Sequence, residues 1–552
     1  MSFLGRLGEL LALITLFASA AGAAEERFDL VLRNGRVVDG TGAPWYRADV
    51  AIRHGRIVAI GRLGEAEATR AIDVSDLYVA PGFLDMMGQT GAAFLKDPRS
   101  ADNLLFQGIT TLNAGEGQSD APLVGNEAEA AGWRTMAQFV ERLEKAGMPM
   151  NVVQTVGHTQ VRRIVLGDTD RKASAEELER MKALVEEAMR AGAIGLSTAL
   201  IYPPAVYAPT DEIVALARVA GKYGGGYYTH MRNEGDRLLE AIDEALLIGR
   251  EAGTPVHIFH LKAAGRANWP KMDQAIARIL AARASGQQVS ADVYPYVNNG
   301  LGITALIHPR HSAQGSDALL RKLTDPDARA TIRREMESET GWENWFRHVG
   351  SDWENVVLVQ IKGEAYVGKG GRSLGAIARE TGRDPWDLFF EVARSGANAL
   401  PQSMSEANVI KALRQEFVSV CTDMGPLGGA TALVHPRGAG AFPRVLARYV
   451  RELGVLSLEQ AVHRMTAVAA NDLLLYDRGR IAPGAAADLV VFDFDRVRDR
   501  ATFAEPTRTP EGILHVVVNG QVVVENGRPT TLRPGRVLRR TGSLAPPVSV
   551  SP

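Results

Sequence analysis

The sequence predicts an α/β protein: a (β/α)8 TIM-like barrel plus a small β-sandwich formed by the N- and C-terminal segments. Three observations carry this. Short apolar runs alternate with amphipathic helical patterns through the middle of the 552 residues, as expected for a parallel sheet covered by helices. Eight such runs can be placed, at 81–88, 109–115, 151–157, 193–199, 225–231, 255–261, 288–294 and 417–423, the number that closes a barrel. The two ends share a strand–turn–strand pattern, which suggests one β domain with the middle inserted between its halves.

Taken in order, residues 1–24 read as a signal peptide. Met1 to Arg6 carry positive charge, Leu10 to Ala21 are almost wholly apolar, and Ala21-Gly-Ala23-Ala24 offers a small-residue cleavage site. The apolar core is too short for a membrane span. The expectation is an exported protein, periplasmic or secreted, with no membrane attachment after cleavage. Residues 25–80 form the first part of the sandwich, with hairpin signals at Asn34-Gly35 and His54-Gly55. Residues 81–475 form the barrel. Its clearest helix begins at Ser174, with Glu177 completing a capping box, and presents Leu178, Met181, Leu184, Val185, Ala188 and Met189 on one face. Residues 297–416 are too long for one crossover and predict an inserted subdomain or lid. Residues 476–540 complete the sandwich, with a third hairpin signal at Asn519-Gly520, and 541–552 read as a flexible tail.

Composition excludes some functions. The net charge is −2, with no basic run, which argues against nucleic acid as a partner. The single cysteine, Cys421, excludes an internal disulfide.

Active sites of such barrels lie at the C-terminal ends of the strands. The second strand ends in Asn113-Ala-Gly-Glu116-Gly, where flanking glycines can turn Glu116 into the barrel mouth. The fifth ends at His230. The sixth contains His257 and His260, which alternation places on opposite faces, and His260, with Lys262 on its face, is the inward candidate. Two histidines and an acid on separate strands suit a three-ligand zinc site with an open position. Asp423, after the eighth strand, can move a proton between water and a leaving group. Lys262, Tyr294 and Arg437 are candidates to hold a substrate carboxylate. His158 is a candidate to polarise a carbonyl, and Gln89 to line the pocket.

These motifs together resemble the N-acyl-D-amino-acid deacylase (D-aminoacylase) group of the amidohydrolase superfamily. The resemblance rests on Ala80-Pro-Gly-Phe-Leu-Asp85, Gly192-Ala-Ile-Gly-Leu-Ser-Thr198, Thr229-His-Met-Arg-Asn-Glu234, His260-Leu-Lys262, Asp292-Val-Tyr-Pro-Tyr296, His435-Pro-Arg437 and Arg478-Gly-Arg-Ile-Ala-Pro-Gly484. It implies a zinc-activated water attacking an amide, with His230 and His260 as metal ligands and Asp423 as acid and base. Two departures are plain. The first-strand histidine pair is replaced by Met87 and Gln89, which marks a subgroup without it. Glu116 stands where familiar members have a cysteine ligand. The expectation is one Zn²⁺, with Mn²⁺ or Fe²⁺ also compatible with the harder donor set. The expected substrate is a small N-acyl amino acid, of D configuration. Two other readings stay open: hydrolysis of a different amide (a dipeptide, a cyclic amide or lactam, an N-carbamoyl compound), or a non-catalytic binding protein on a decayed barrel.

Overall fold

Eight parallel strands form the centre of the protein. They are β1 Phe83–Asp85, β2 Ile109–Ala114, β3 Asn151–Gln154 with its continuation Val156–Gly157, β4 Gly195–Ala199, β5 Gly226–His230, β6 Val256–Ile258, β7 Val289–Val293 and β8 Val418–Val420. Each falls within one of the eight apolar runs. This computed structural model describes residues 27–427 and 434–539. The leader expected at 1–24 and the tail at 541–552 lie outside the described residues.

The ladders run β1–β2–β3 in one sheet and β3–β4–β5–β6–β7–β8 in the other. Buried side chains close the seam between β8 and β1. Asp85 accepts from the Thr422 amide at 2.9 Å and lies 2.5 Å from the Thr422 hydroxyl. Helices cover the outside. Helix α1, Ala175–Arg190, opens with the expected capping box: Ser174 Oγ accepts from the Glu177 amide and Glu177 accepts from the Ser174 amide. Its Met181, Val185, Ala188 and Met189 are buried against the barrel.

The two ends of the described chain meet in one nine-stranded sheet. Strand Phe28–Val37 pairs with Ala68–Asp73 along its first half and with Tyr78–Pro81 along its second. Tyr78–Pro81 in turn pairs with Leu489–Phe492, which brings the C-terminal strands alongside. Leu32, Val50, Ile52, Val79, Leu489 and Val517 share its core. His54-Gly55 and Asn519-Gly520 make the expected hairpin turns, both residues of each pair at positive φ. Asn34-Gly35 does not. It lies inside one continuous ten-residue strand, where it forms an irregularity in the pairing with Tyr46–Arg53. Asp49 accepts from the Asn34 amide at 2.8 Å, which satisfies the group a bulge leaves outside the ladder.

Between β7 and β8 the chain makes a separate unit. Leu301–Gly302, Asn398–Pro401, Val356–Val359 and Arg372–Ser373 form a four-stranded sheet. It packs on a core of Trp345, Phe346, Trp353, Trp386 and Phe389, distinct from the barrel core. No helix among the described residues is long and apolar enough to cross a membrane.

Burial pushes the Asp85 carboxyl up to about 7, against the hydrogen bonds from Thr422 and Met87. The Thr422 hydroxyl has one proton and two acceptors in reach, Asp85 Oδ2 at 2.5 Å and the Met424 carbonyl at 2.8 Å. A protonated Asp85 resolves this by donating to Thr422, which then donates to Met424. A raised folded pKa means stability that is complete at low pH and lost as pH rises through the folded value. Asp85→Asn should therefore gain stability relative to the parent by about 2–3 kcal/mol between about pH 5 and about pH 8. Denaturant unfolding of both proteins at the two pH values checks this, and a pH-independent difference would sink it.

Candidate metal centre and active site

The site is built where β2, β5, β6 and β8 end. Glu116 follows β2 in a turn between Gly115 at φ 105° and Gly117 at φ 68°. A side chain at 117 would bring its Cβ to 2.5 Å from the Ala199 amide nitrogen, so only glycine fits there. The turn is held from below. Ser197 Oγ accepts from the Gly117 amide at 3.1 Å, and Thr155 Oγ1 reaches Ser197 Oγ at 2.9 Å and the Gly115 carbonyl at 3.0 Å.

Glu116 Oε1 lies 2.7 Å from His230 Nδ1 and 3.2 Å from His260 Nε2. One potential ligand atom from each of the three residues falls within 4.8 Å of the others. His230 is the last residue of β5. His260 is not on a strand: β6 stops at Ile258, shorter than its apolar run, because His260 takes a left-handed φ of 36°. Asp292 of β7 holds that turn by accepting from the His260 amide at 2.7 Å, and His257 reaches the other Asp292 oxygen at 2.8 Å. Gln89 and Asp423 also adopt left-handed φ, at 63° and 50°. Three residues of one site in this sparsely occupied region mark it as a place where the fold imposes geometry.

Gln89 and Arg437 join Asp423 to this group. Gln89 Nε2 donates to Glu116 Oε2 at 2.8 Å and to Asp423 Oδ1 at 3.1 Å. Arg437 Nη1 lies 2.6 Å from Asp423 Oδ2. That contact is off the hydrogen-bonding direction, so Nη1 and Nε both keep donors to offer. The guanidinium also stacks 4.4 Å from the Tyr294 ring centroid. Lys262 Nζ sits 2.6 Å from Glu234 Oε1 and 2.6 Å from His260 Nδ1. All of these residues line one cavity of about 540 Å³. Met87 does not. It is buried in the barrel core.

The two carboxylates are pushed apart. Burial alone would raise Glu116, but hydrogen bonds from His230 and His260 more than offset it and hold the carboxyl well below its usual range. Burial raises Asp423, with Arg437 and His260 only partly opposing it. Burial likewise keeps the Tyr294 phenol protonated and His435 neutral.

His158 is not in the cavity. It was expected near a substrate carbonyl, but β3 ends at Gly157 and His158 is the first residue of helix His158–Leu166. There it is fully buried, with Nε2 2.9 Å from Glu212. Its neighbour Thr159 lines the cavity instead.

Glu234 was not singled out by the sequence. It is fully buried behind both imidazoles, with Oε1 3.0 Å from His260 Nδ1 and Oε2 3.6 Å from His230 Nε2. Its place in Thr229-His-Met-Arg-Asn-Glu234 was the available signal. Tyr202, another cavity residue, packs its ring 5.7 Å from His230.

Comparison with known proteins identifies the family and the fold. The amidohydrolase family model matches residues 70–524, and the N-terminal domain of the urease α-subunit matches residues 15–82. N-acyl-D-glutamate deacylase of Alcaligenes xylosoxydans xylosoxydans is 37% identical over 94% of this chain and 98% of its own. D-aminoacylase of the same organism is 35% identical over 94% and 98%. A crystal structure of D-aminoacylase superposes with a TM-score of 0.78 at 34% identity, covering 93% of this chain and 100% of that one. N-acyl-D-glutamate deacylase from Bordetella bronchiseptica, complexed with zinc and a phosphonate inhibitor, gives 0.79 at 33% identity, with coverage of 93% and 100%. Ordered motifs, barrel and family match coincide over most of the sequence: the chain belongs to the amidohydrolase family.

Proposed function

We propose that this chain is a metal-dependent hydrolase that cleaves the amide bond of N-acyl-D-amino acids, releasing a carboxylate and the free amino acid. The observation that carries it is the convergence of Glu116, His230 and His260 beside Asp423, in a cavity that also holds Lys262, Tyr294 and Arg437. The relatives support the substrate: the two named above act, by name, on N-acyl-D-glutamate and as a D-aminoacylase, and a third, 33% identical, is an N-acyl-D-aspartate deacylase.

The residues present fit a divalent cation. One carboxylate oxygen and two imidazole nitrogens make a three-donor set that leaves a position open. Glu116 Oε1 faces both imidazoles at 2.7 and 3.2 Å, where a cation can replace the protons between them. A single zinc ion is the favoured occupant, because neither Met87 nor Gln89 offers an imidazole for a second. Mn²⁺ or Fe²⁺ would also suit the carboxylate. Bound there, the metal would polarise the scissile carbonyl and make hydroxide available near neutrality.

The chain's own groups do the rest. Asp423 takes a proton from the attacking water and delivers it to the departing nitrogen, a role its raised carboxyl suits. Arg437 offers free donors to the α-carboxylate, with Lys262 and the Tyr294 hydroxyl alongside. Gln89 fixes Glu116 and Asp423 relative to one another. Glu234 holds His260 from behind at 3.0 Å and faces His230 at 3.6 Å. The apolar run at Leu10–Ala21 supports export of the enzyme.

Three outcomes are expected. Zinc-loaded protein should hydrolyse N-acetyl-D-amino acids and metal-stripped protein should not, while Asp423→Asn should lose about 10²–10⁴-fold in kcat with its metal content intact. Equal rates with and without metal, or an undiminished Asp423→Asn, would contradict the proposal. Glu234→Gln should weaken zinc binding about 10–100-fold in a chelator competition. An unchanged affinity would show that Glu234 does not orient the ligands.

A further inference from the structure

Resting on the deacylase reading, we infer that the amino-acid side chain this enzyme accepts is neutral and apolar, not acidic. The relatives do not decide this, since they include enzymes named for D-glutamate and D-aspartate as well as a D-aminoacylase. The cavity does.

Among the described residues that line it, the lysine and arginine side chains are Lys262 and Arg437. Each already faces an anion, Glu234 at 2.6 Å and Asp423 at 2.6 Å. Both are committed again when the α-carboxylate binds. His435 adds no charge: its Nδ1 accepts from the Arg437 amide at 3.0 Å and its Nε2 contacts the Asn298 carbonyl at 3.0 Å, the pattern of a neutral ring.

The wall supplied by the inserted subdomain carries apolar and uncharged polar side chains and, among the described residues, no charged one. Leu301, Trp345, Val359 and Leu400 face the cavity and belong to buried parts of that subdomain. The polar groups beside them are uncharged and already bonded: Gln360 and Asn398 to one another at 2.8 Å, and Asn299 to Tyr294 and Ser403. A methionine, leucine or phenylalanine side chain exchanges water for this wall at a gain. A glutamate or aspartate side chain would place a second carboxylate where no cation is free, and an unpaired buried charge is strongly disfavoured.

The test is kcat/KM of the zinc-loaded enzyme on N-acetyl-D-methionine, -D-leucine, -D-glutamine, -D-glutamate and -D-aspartate. Methionine and leucine should exceed glutamate and aspartate by at least about 100-fold. Glutamine, which has the shape of glutamate without its charge, should fall between. Acidic substrates within about tenfold of the apolar ones would overturn the inference while leaving the deacylase reading standing. No turnover of any of the five would overturn the deacylase reading, and the inference with it. A second arm adds a cation to the wall. Asn398→Arg should raise the glutamate-to-methionine ratio at least about tenfold, and an unmoved ratio would show that wall charge does not set the preference.

Discussion

A carboxylate held between two imidazoles is the constraint on which the rest of the site depends. Withdrawing Glu116 from water costs several kcal/mol unless its charge is matched, and His230 and His260 supply the match within 3.2 Å. Each partner must then be held in turn. Glycines on both sides let the Glu116 turn pass under Ala199, and Thr155 and Ser197 support it. Asp292 holds His260 in a conformation a non-glycine residue rarely adopts. Glu234 closes the far side of both rings. The strained backbone at Gln89, His260 and Asp423 is stable because so many buried contacts determine it.

The same burial divides labour between two acids of similar intrinsic strength. Glu116 is surrounded by donors and stays ionised, which suits the ligand role proposed for it. Asp423 is buried beside one guanidinium and is raised, which suits the proposed proton transfer. Environment, and not residue type, separates the two roles. Charge balance extends outward from this pair. Lys262 answers Glu234 and Arg437 answers Asp423, so the inner cavity is nearly self-neutralised before substrate arrives. Its outer wall belongs to the subdomain between β7 and β8, so selectivity can vary there without disturbing the chemistry below.

The barrel was legible because its signals are local. Short apolar runs separated by amphipathic helices specify parallel strands wherever they occur, and all eight appear where expected. The capping box at Ser174 and the hairpin pairs at His54-Gly55 and Asn519-Gly520 are likewise set by residues within reach of one another. Asn34-Gly35 carried the same local signal and became a bulge, because Asp49 on the neighbouring strand satisfied its backbone and let the strand continue. His158 shows the same limit. One residue past a strand end, it began a helix and turned to Glu212, whereas His260, two residues past its own strand end, turned inward.

The sequence by itself determined the alternating architecture, the family resemblance, and the candidates at strand ends, including Glu116, His230, His260 and Asp423. These follow from periodicity and residue chemistry, which act over a few positions. Tertiary structure alone decided that Gln89 bridges the two acids, that Glu234 stands behind both histidines, and that both cavity cations arrive already paired. Those contacts join residues from 4 to 334 positions apart. A side chain's partner at such separations depends on where packing directs its last few torsions, and no local pattern encodes that.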